Sequence, residues 1–260
     1  MSTIGTLHLD NLHAAISAEL ALDQISLEVP AGSATAIIGP NGAGKTSLLR
    51  AICGELDLQL GELQFNGKAM HLWKPQQRAK LMAILPQRSS LEFPFTVEEV
   101  VSLGRIPHDT PRQRNHQIVM EALELVDCAN LAGRLYVHLS GGEKQRVQLA
   151  RVAAQIWDEQ AQDRCLILDE PSASLDLAHQ AMIVGMMRFF ARQGVAILTV
   201  LHDLNLASKC ADQIVVLDRG RLVDCGEPKA VLTEEILSRV FNIDALVSVN
   251  AKDGSCLVIC

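Results

Sequence analysis

Gly39-Pro40-Asn41-Gly42-Ala43-Gly44-Lys45-Thr46 has the spacing G-x-x-x-x-G-K-[S/T], and its reading decides the fold. The residues before it, Ala34-Thr35-Ala36-Ile37-Ile38, predict a short buried strand. Those after it, Ser47-Leu48-Leu49-Arg50-Ala51-Ile52, predict a helix. A strand that turns through glycines into a helix N-terminus aims backbone N–H groups, and the positive end of the helix dipole, at one point in space. That arrangement cradles the phosphates of a nucleotide such as ATP. The glycines allow backbone angles and a close approach that a side chain would block. Lys45 has the reach for β- and γ-phosphates, and the hydroxyl of Thr46, with Ser47 next to it, suits Mg²⁺. A glycine-rich turn with an incidental lysine is the alternative, and the strand and helix on either side speak against it.

The rest of the composition narrows the class. A chain of 260 residues can bury a sizeable core, as one large domain or a domain with a subdomain. With 48% hydrophobic and 20% charged residues it is globular rather than disordered. The net charge of −7 argues against a nucleic-acid surface. The seven cysteines form no C-x-x-C pair and are odd in number, which favours free thiols over a disulfide framework or a zinc site. Met1 to Asp10 shows no basic region followed by an apolar run, so no signal peptide is expected, and no apolar stretch approaches the ~18 residues that span a bilayer. A role at a membrane would require docking on another protein.

Along the chain, residues 7–29 alternate apolar and polar (Leu7, Leu9, Leu12, then Ile25, Leu27, Val29), which predicts an antiparallel β-layer lying against the nucleotide. Gly61 to Gly67 reads as a short strand ending in a turn, and Met82 to Leu85 as an apolar strand that stops at Pro86 and presents Gln87 on a loop. From Thr96 to Val137 apolar residues recur at three and four, which predicts a helical insertion. Ser140 and Glu143 have capping-box spacing at the start of another helix. Cys165-Leu166-Ile167-Leu168 then delivers Asp169 and Glu170 at a strand end, with Pro171 as the stop. A helix around 178–191 leads to a strand over 195–201 ending at His202, and a last strand over 213–218 follows. Strands separated by helices predict an α/β fold with a mainly parallel sheet, whose ligands bind at strand C-terminal ends. The expected division is a single domain: a core of 1–87 and 158–245, a helical subdomain of 88–157 and a C-terminal tail of 246–260.

Taken together, the loop at 39–46, Gln87, Leu139-Ser140-Gly141-Gly142-Glu143, Asp169-Glu170, Ser174-Leu175-Asp176 and His202 resemble, in order, the motifs of ATP-binding cassette (ABC) ATPases. The likeness covers roughly residues 7–230, and the motifs are specific as a set although several are weak alone. It implies a P-loop NTPase cassette that hydrolyses ATP with Mg²⁺. Asp169 would orient water on the metal, with Thr46 and Gln87 beside it, and Glu170 would face the water that attacks the γ-phosphate. His202 would hydrogen-bond the γ-phosphate. The resemblance also gives Ser140, Gly141 and Gly142 to the ATP of a second subunit in a homodimer, with Asp176 as a contact across it. Taken alone, a serine N-cap beside two glycines is also an ordinary helix start, and two adjacent carboxylates can be a solvated turn. One position departs from the pattern: an aromatic that stacks on adenine is usual where this chain has Ile16. Apolar packing by Ile16 or a substitute role for His13 are the alternatives, and base selectivity is expected to be weak.

A lone cassette can drive an importer, drive an exporter, or serve as a soluble ATPase in DNA repair or translation. Repair cassettes carry long coiled coils, translation factors usually carry two cassettes, and exporters are often fused to membrane segments, so a separate importer subunit is the economical reading. The segments 85–101, 175–180 and 201–207 resemble the importer class for siderophores, cobalamin and haem, and within it the ATPases of bacterial haemin import. That resemblance implies a peripheral position on the cytoplasmic face of the inner membrane, two transmembrane permease subunits, and indirect service to a periplasmic haem-binding protein. No haem site is expected on this chain, since its eight histidines form no ligand cluster.

Overall fold

Two sheets enclose the helix that follows the phosphate loop. The computed structural model describes residues 6–16, 19–87, 91, 93–158, 164–172 and 175–259. Within these the strands are β1 (Leu7–Ile16), β2 (Glu19–Val29), β3 (Ala34–Ile38), β4 (Leu58–Phe65), β5 (Lys68–Ala69), β6 (Met82–Leu85), β7 (Cys165–Asp169), β8 (Ala196–Val200), β9 (Gln213–Asp218), β10 (Arg221–Gly226), β11 (Leu246–Val249) and β12 (Cys256–Ile259). The helices are α1 (Lys45–Cys53), α2 (Pro75–Leu81), α3 (Val97–Ser102), α4 (Arg112–Leu125), α5 (Gly141–Gln155), α6 (Leu177–Arg192), α7 (Leu204–Cys210), α8 (Pro228–Val231) and α9 (Glu234–Phe241).

The central sheet has the order β10-β9-β3-β8-β7-β6, with β9, β3, β8, β7 and β6 parallel and β10 antiparallel at the edge. Every residue of β3, β7 and β8 is buried, as expected of parallel strands covered on both faces. Above it lies the antiparallel layer β2-β1-β4-β5, in which Leu7 pairs with Val29 and Leu9 with Leu27. The apolar face of that layer, with Leu48, Leu49 and Ile52 of α1 and Ile37, Leu198 and Val215 of the central sheet, forms one core. Below the sheet a second core unites α6 and α7 with α3, α4 and α5. The phosphate loop therefore sits at the C-terminal edge of a strand packed from both sides.

The helical pattern expected over Thr96–Val137 is realised in pieces. Thr96 and Glu99 form a capping box that starts α3, and Pro107 and Pro111 keep α3 from running into α4, since proline lacks the N–H that a helix interior needs. The C-terminal residues 246–259 carry the hairpin β11–β12, whose Val258 packs with Leu237 and Ala245. No described helix is long and apolar enough to cross a membrane.

Candidate functional site

The turn from β3 into α1 is built from left-handed or otherwise glycine-only backbone: φ is 156° at Gly39, 80° at Gly42 and 100° at Gly44. Two of these glycines also answer to space. A Cβ on Gly39 would lie 2.2 Å from the carbonyl oxygen of Leu217 in β9, and one on Gly44 would lie 3.1 Å from that of Ala21 in β2. Gly44 caps α1 without any side-chain hydrogen bond, so the first N–H groups of the helix are turned outward for an anion. The β9–β10 turn braces the loop, with Gly220 N–H donating to Ala43 O at 2.9 Å. That brace left no signal in the sequence, because it joins backbone atoms of positions far apart in the chain.

Lys45 is 6% exposed and folds back over the loop, donating to Gly39 O at 2.8 Å and Pro40 O at 2.9 Å. Burial pushes its pKa down, against the pull of Glu170 and Asp169, whose charges are near enough to be felt. Across the cleft, β7 ends on Asp169, also 6% exposed. Its pKa is raised by burial and then by the charge of Glu170, opposed by the Gln87 backbone N–H, His202 and Lys45. Its Oδ1 is buried with no hydrogen-bond partner. A buried carboxylate oxygen with nothing to bind fits a hard cation or the water on one, so Asp169 and the exposed Thr46 suit Mg²⁺.

Glu170 adopts φ 50°, a conformation costing a non-glycine residue on the order of 1 kcal/mol, and its N–H is held by Val200 O at 3.1 Å. The bend turns the carboxylate out of the sheet and between two partners. Gln87 Nε2 donates to one oxygen at 2.9 Å and His202 Nε2 donates to the other at 2.5 Å. The three residues expected from separate strand ends thus meet on one carboxylate. Gln87 touches both acids, Asp169 through its backbone and Glu170 through its side chain.

Other expected positions lie apart from this cluster. Ser140 and Glu143 make the reciprocal capping box of α5, with Ser140 N–H donating to Glu143 Oε2 at 2.7 Å. Asp176 caps α6, accepting from the His179 N–H at 2.9 Å and from its ring Nδ1–H at 2.8 Å. Among the described residues no hydrogen bond or ion pair joins Ser140, Gly141, Gly142 or Asp176 to the phosphate loop. Ser174 and the side chain of Ile16 lie outside the described residues. His13 is tied into the β-layer, its Nδ1 3.2 Å from Asp23 and its Nε2 3.3 Å from Asn11. If no aromatic ring fixes the base, GTP should support hydrolysis with kcat/KM within about tenfold of ATP, because a purine held mainly by its phosphates loses little when its ring edge changes. A preference of a hundredfold or more in parallel steady-state assays would show that the base is read.

A cradle of N–H groups, a buried lysine and two consecutive carboxylates at the end of one strand are the equipment of phosphoryl transfer from a nucleoside triphosphate. Comparison with known proteins bears this out. The ABC transporter family model matches residues 22–173. The hemin import ATP-binding protein of Pseudomonas entomophila is 46% identical over 253 residues, covering 97% of this chain and 99% of that protein. The protein of the same name from Gloeobacter violaceus is 47% identical, covering 92% and 88%. In fold the chain is similar to the ADP conformation of an ATP-binding cassette of an ABC transporter, with TM-score 0.78, 23% identity and coverage of 92% and 99%. It is likewise similar to cbiO1 from Clostridium perfringens, part of the ABC transporter complex cbiONQ, with TM-score 0.76, 27% identity and coverage of 90% and 93%. With the family's model matched across the loop and both carboxylates, and relatives aligned over nearly its whole length, the chain belongs to the ABC transporter family as one of its ATP-binding cassettes.

Proposed function

We propose that this chain is the ATP-hydrolysing subunit of a bacterial importer and energises uptake of haemin through two partner permease subunits. The observation that carries the reading is the Glu170 carboxylate held between Gln87 and His202 beside the Lys45 loop, in a chain whose relatives are named for hemin import. In this reading residues 39–47 wrap the phosphates, with Gly39, Pro40, Asn41, Gly42, Ala43 and Gly44 offering backbone, Lys45 charge, and Thr46 and Ser47 hydroxyls. Glu170 orients the attacking water, His202 steadies the γ-phosphate, and Gln87 senses both acids. Thr46, Gln87 and Asp169 would hold Mg²⁺, which would supply charge neutralisation at the phosphates. Ser140, Gly141, Gly142 and Asp176 are given to a second copy of the chain. Their separation from the loop within one chain supports a head-to-tail homodimer in which α5 of each subunit aims its N-terminus at the other's nucleotide. Peripheral attachment to the inner membrane follows from the permease, as does service to a periplasmic haem-binding protein.

Reconstitution tests the substrate. The chain, placed in proteoliposomes with a haemin permease and its binding protein, should accumulate haemin only with ATP, and Glu170→Gln should stop it. Accumulation of a ferric siderophore or cobalamin instead would redirect the substrate. ATPase activity with no permease partner would leave a soluble ATPase.

The docking surface on this subunit is expected around Phe93. It is 68% exposed and its ring centroid lies 6.1 Å from that of Phe95, itself 37% exposed, while Leu91 packs on the core. So exposed an aromatic pair adds little to the fold and suits a groove for a short permease helix. Phe93→Ala should leave melting temperature and basal ATPase unchanged yet weaken permease binding about 30-fold, the loss of an interface anchor of about 2 kcal/mol. A variant that melts several degrees lower and still co-purifies with the permease would place Phe93 in the core.

A further inference from the structure

His202 lies between β8 and α7. Leu206, Ala207 and Cys210 pack α7 on the core, and the C-terminal hairpin pins its first turn by hydrogen bonds. Asn205, in the first turn of α7, uses both ends of its amide on one residue of β12: Val258 N–H donates to Asn205 Oδ1 at 2.7 Å, and Asn205 Nδ2 donates to Val258 O at 3.1 Å. One turn on, Ser208 Oγ accepts from Cys256 N–H at 2.6 Å. Helix positions three apart lie side by side, and so do strand positions two apart, so these residues let α7 serve as an extra edge on β12. Ser208, Cys256 and Val258 are buried at this contact, and Asn205 is half-buried. The same helix start is fixed to the loop, because Asp203 accepts from the N–H groups of Asn205 and Leu206 at 2.8 and 3.0 Å. A covalently short path therefore runs from β12 through Asn205 and Asp203 to His202, and from His202 Nε2 to Glu170.

We propose that Asn205 is a positioning residue for hydrolysis, through which the C-terminal hairpin sets the imidazole of His202 at the reaction site. Both ends of its amide are engaged by Val258 rather than turned to the phosphate loop. By holding α7 in one place it fixes the loop on which the imidazole rides, and a displacement of even 1 Å at such a group lowers the rate without altering how the phosphates are gripped. The inference rests on the role given to His202 above.

Steady-state and single-turnover ATP hydrolysis by the full-length subunit tests it. Asn205→Ala should lower kcat about tenfold while KM for ATP stays within twofold, since the Lys45 loop is untouched. Asn205→Asp, which keeps the volume and the acceptor for Val258 N–H, should recover part of that loss. In a His202→Ala background the further change Asn205→Ala should cost no more than about twofold, because the group it positions is gone. The imidazole resonances of His202 in NMR spectra should shift in Asn205→Ala, with the melting temperature recorded alongside. Full kcat in Asn205→Ala would overturn the proposal, as would an undiminished tenfold loss in the His202→Ala background or unmoved His202 resonances. If Asn205→Ala fails to fold, the same three readouts on Asn205→Asp decide. Should His202→Ala itself hydrolyse ATP normally, the reading of His202 fails first, and that result is distinct from a failure of Asn205.

Discussion

Lys45→Ala is expected to lower ATP turnover about 10³-fold and to weaken ATP binding about tenfold or more. The cause is specific to this position. Lys45 is the cation of the phosphate loop and feels the charge of both carboxylates, and its present partners, Gly39 O and Pro40 O, are backbone groups that it would leave for phosphate. Donors preset where charge develops contribute about 10²–10³ each to the rate, and a lysine adds a full charge to that. The fold should survive, because the loop is set by the contacts of Gly39 with β9 and of Gly220 with Ala43 rather than by the side chain. Phosphate release and binding of a fluorescent ATP analogue, with circular dichroism as the check on folding, measure all three quantities. Turnover within tenfold of the parent protein would remove Lys45 from the reaction.

Glu170→Gln is expected to reduce hydrolysis by a similar factor with an opposite effect on the complex. The carboxylate accepts from Gln87 on one oxygen and from His202 on the other, whereas an amide keeps one acceptor and turns an NH₂ toward the remaining donor. The imidazole of His202 can meet that NH₂ as an acceptor by switching tautomer, so the shape of the site is kept while the charge that orients water is lost. ATP should bind and persist. Because Ser140, Gly141, Gly142 and Asp176 are exposed or half-buried and joined to nothing in the loop of their own chain, persistent ATP should hold two subunits face to face. Size exclusion in ATP, with and without Mg²⁺, should show a dimer for Glu170→Gln and a monomer without nucleotide. A variant that stays monomeric at high ATP and high protein concentration would count against the sandwich.

Much of this is legible in the sequence, and the reason differs by element. The phosphate loop was readable because its chemistry is local: glycine spacing, an apolar run before it and a helix pattern after it lie within twenty residues. The central strands were readable because parallel strands buried on both faces are continuous apolar runs, as in Cys165–Leu168 and Ile214–Leu217. Expected and observed strand ends differ by a residue or so, 195–201 against Ala196–Val200. Less legible were the broken helices after Thr96, whose periodicity hides Pro107 and Pro111, and the hairpin at 246–259, whose short strands alternate weakly and gain their stability from α7 and α9.

The sequence by itself determined that the chain has a phosphate-binding loop, that Gln87, Asp169-Glu170 and His202 stand at strand ends, and that Ser140 begins a helix, since each depends on neighbours a few residues away. Only the tertiary structure decided that Gln87 and His202 grip the two oxygens of Glu170 while Asp169 keeps a buried oxygen free. It alone decided that Asn205 ties the His202 loop to the C-terminus. Those relations follow from the order and register of parallel strands, with β6 beside β7 and β7 beside β8, and strand order is settled by the packing of two cores against the sheet, which no window of sequence contains.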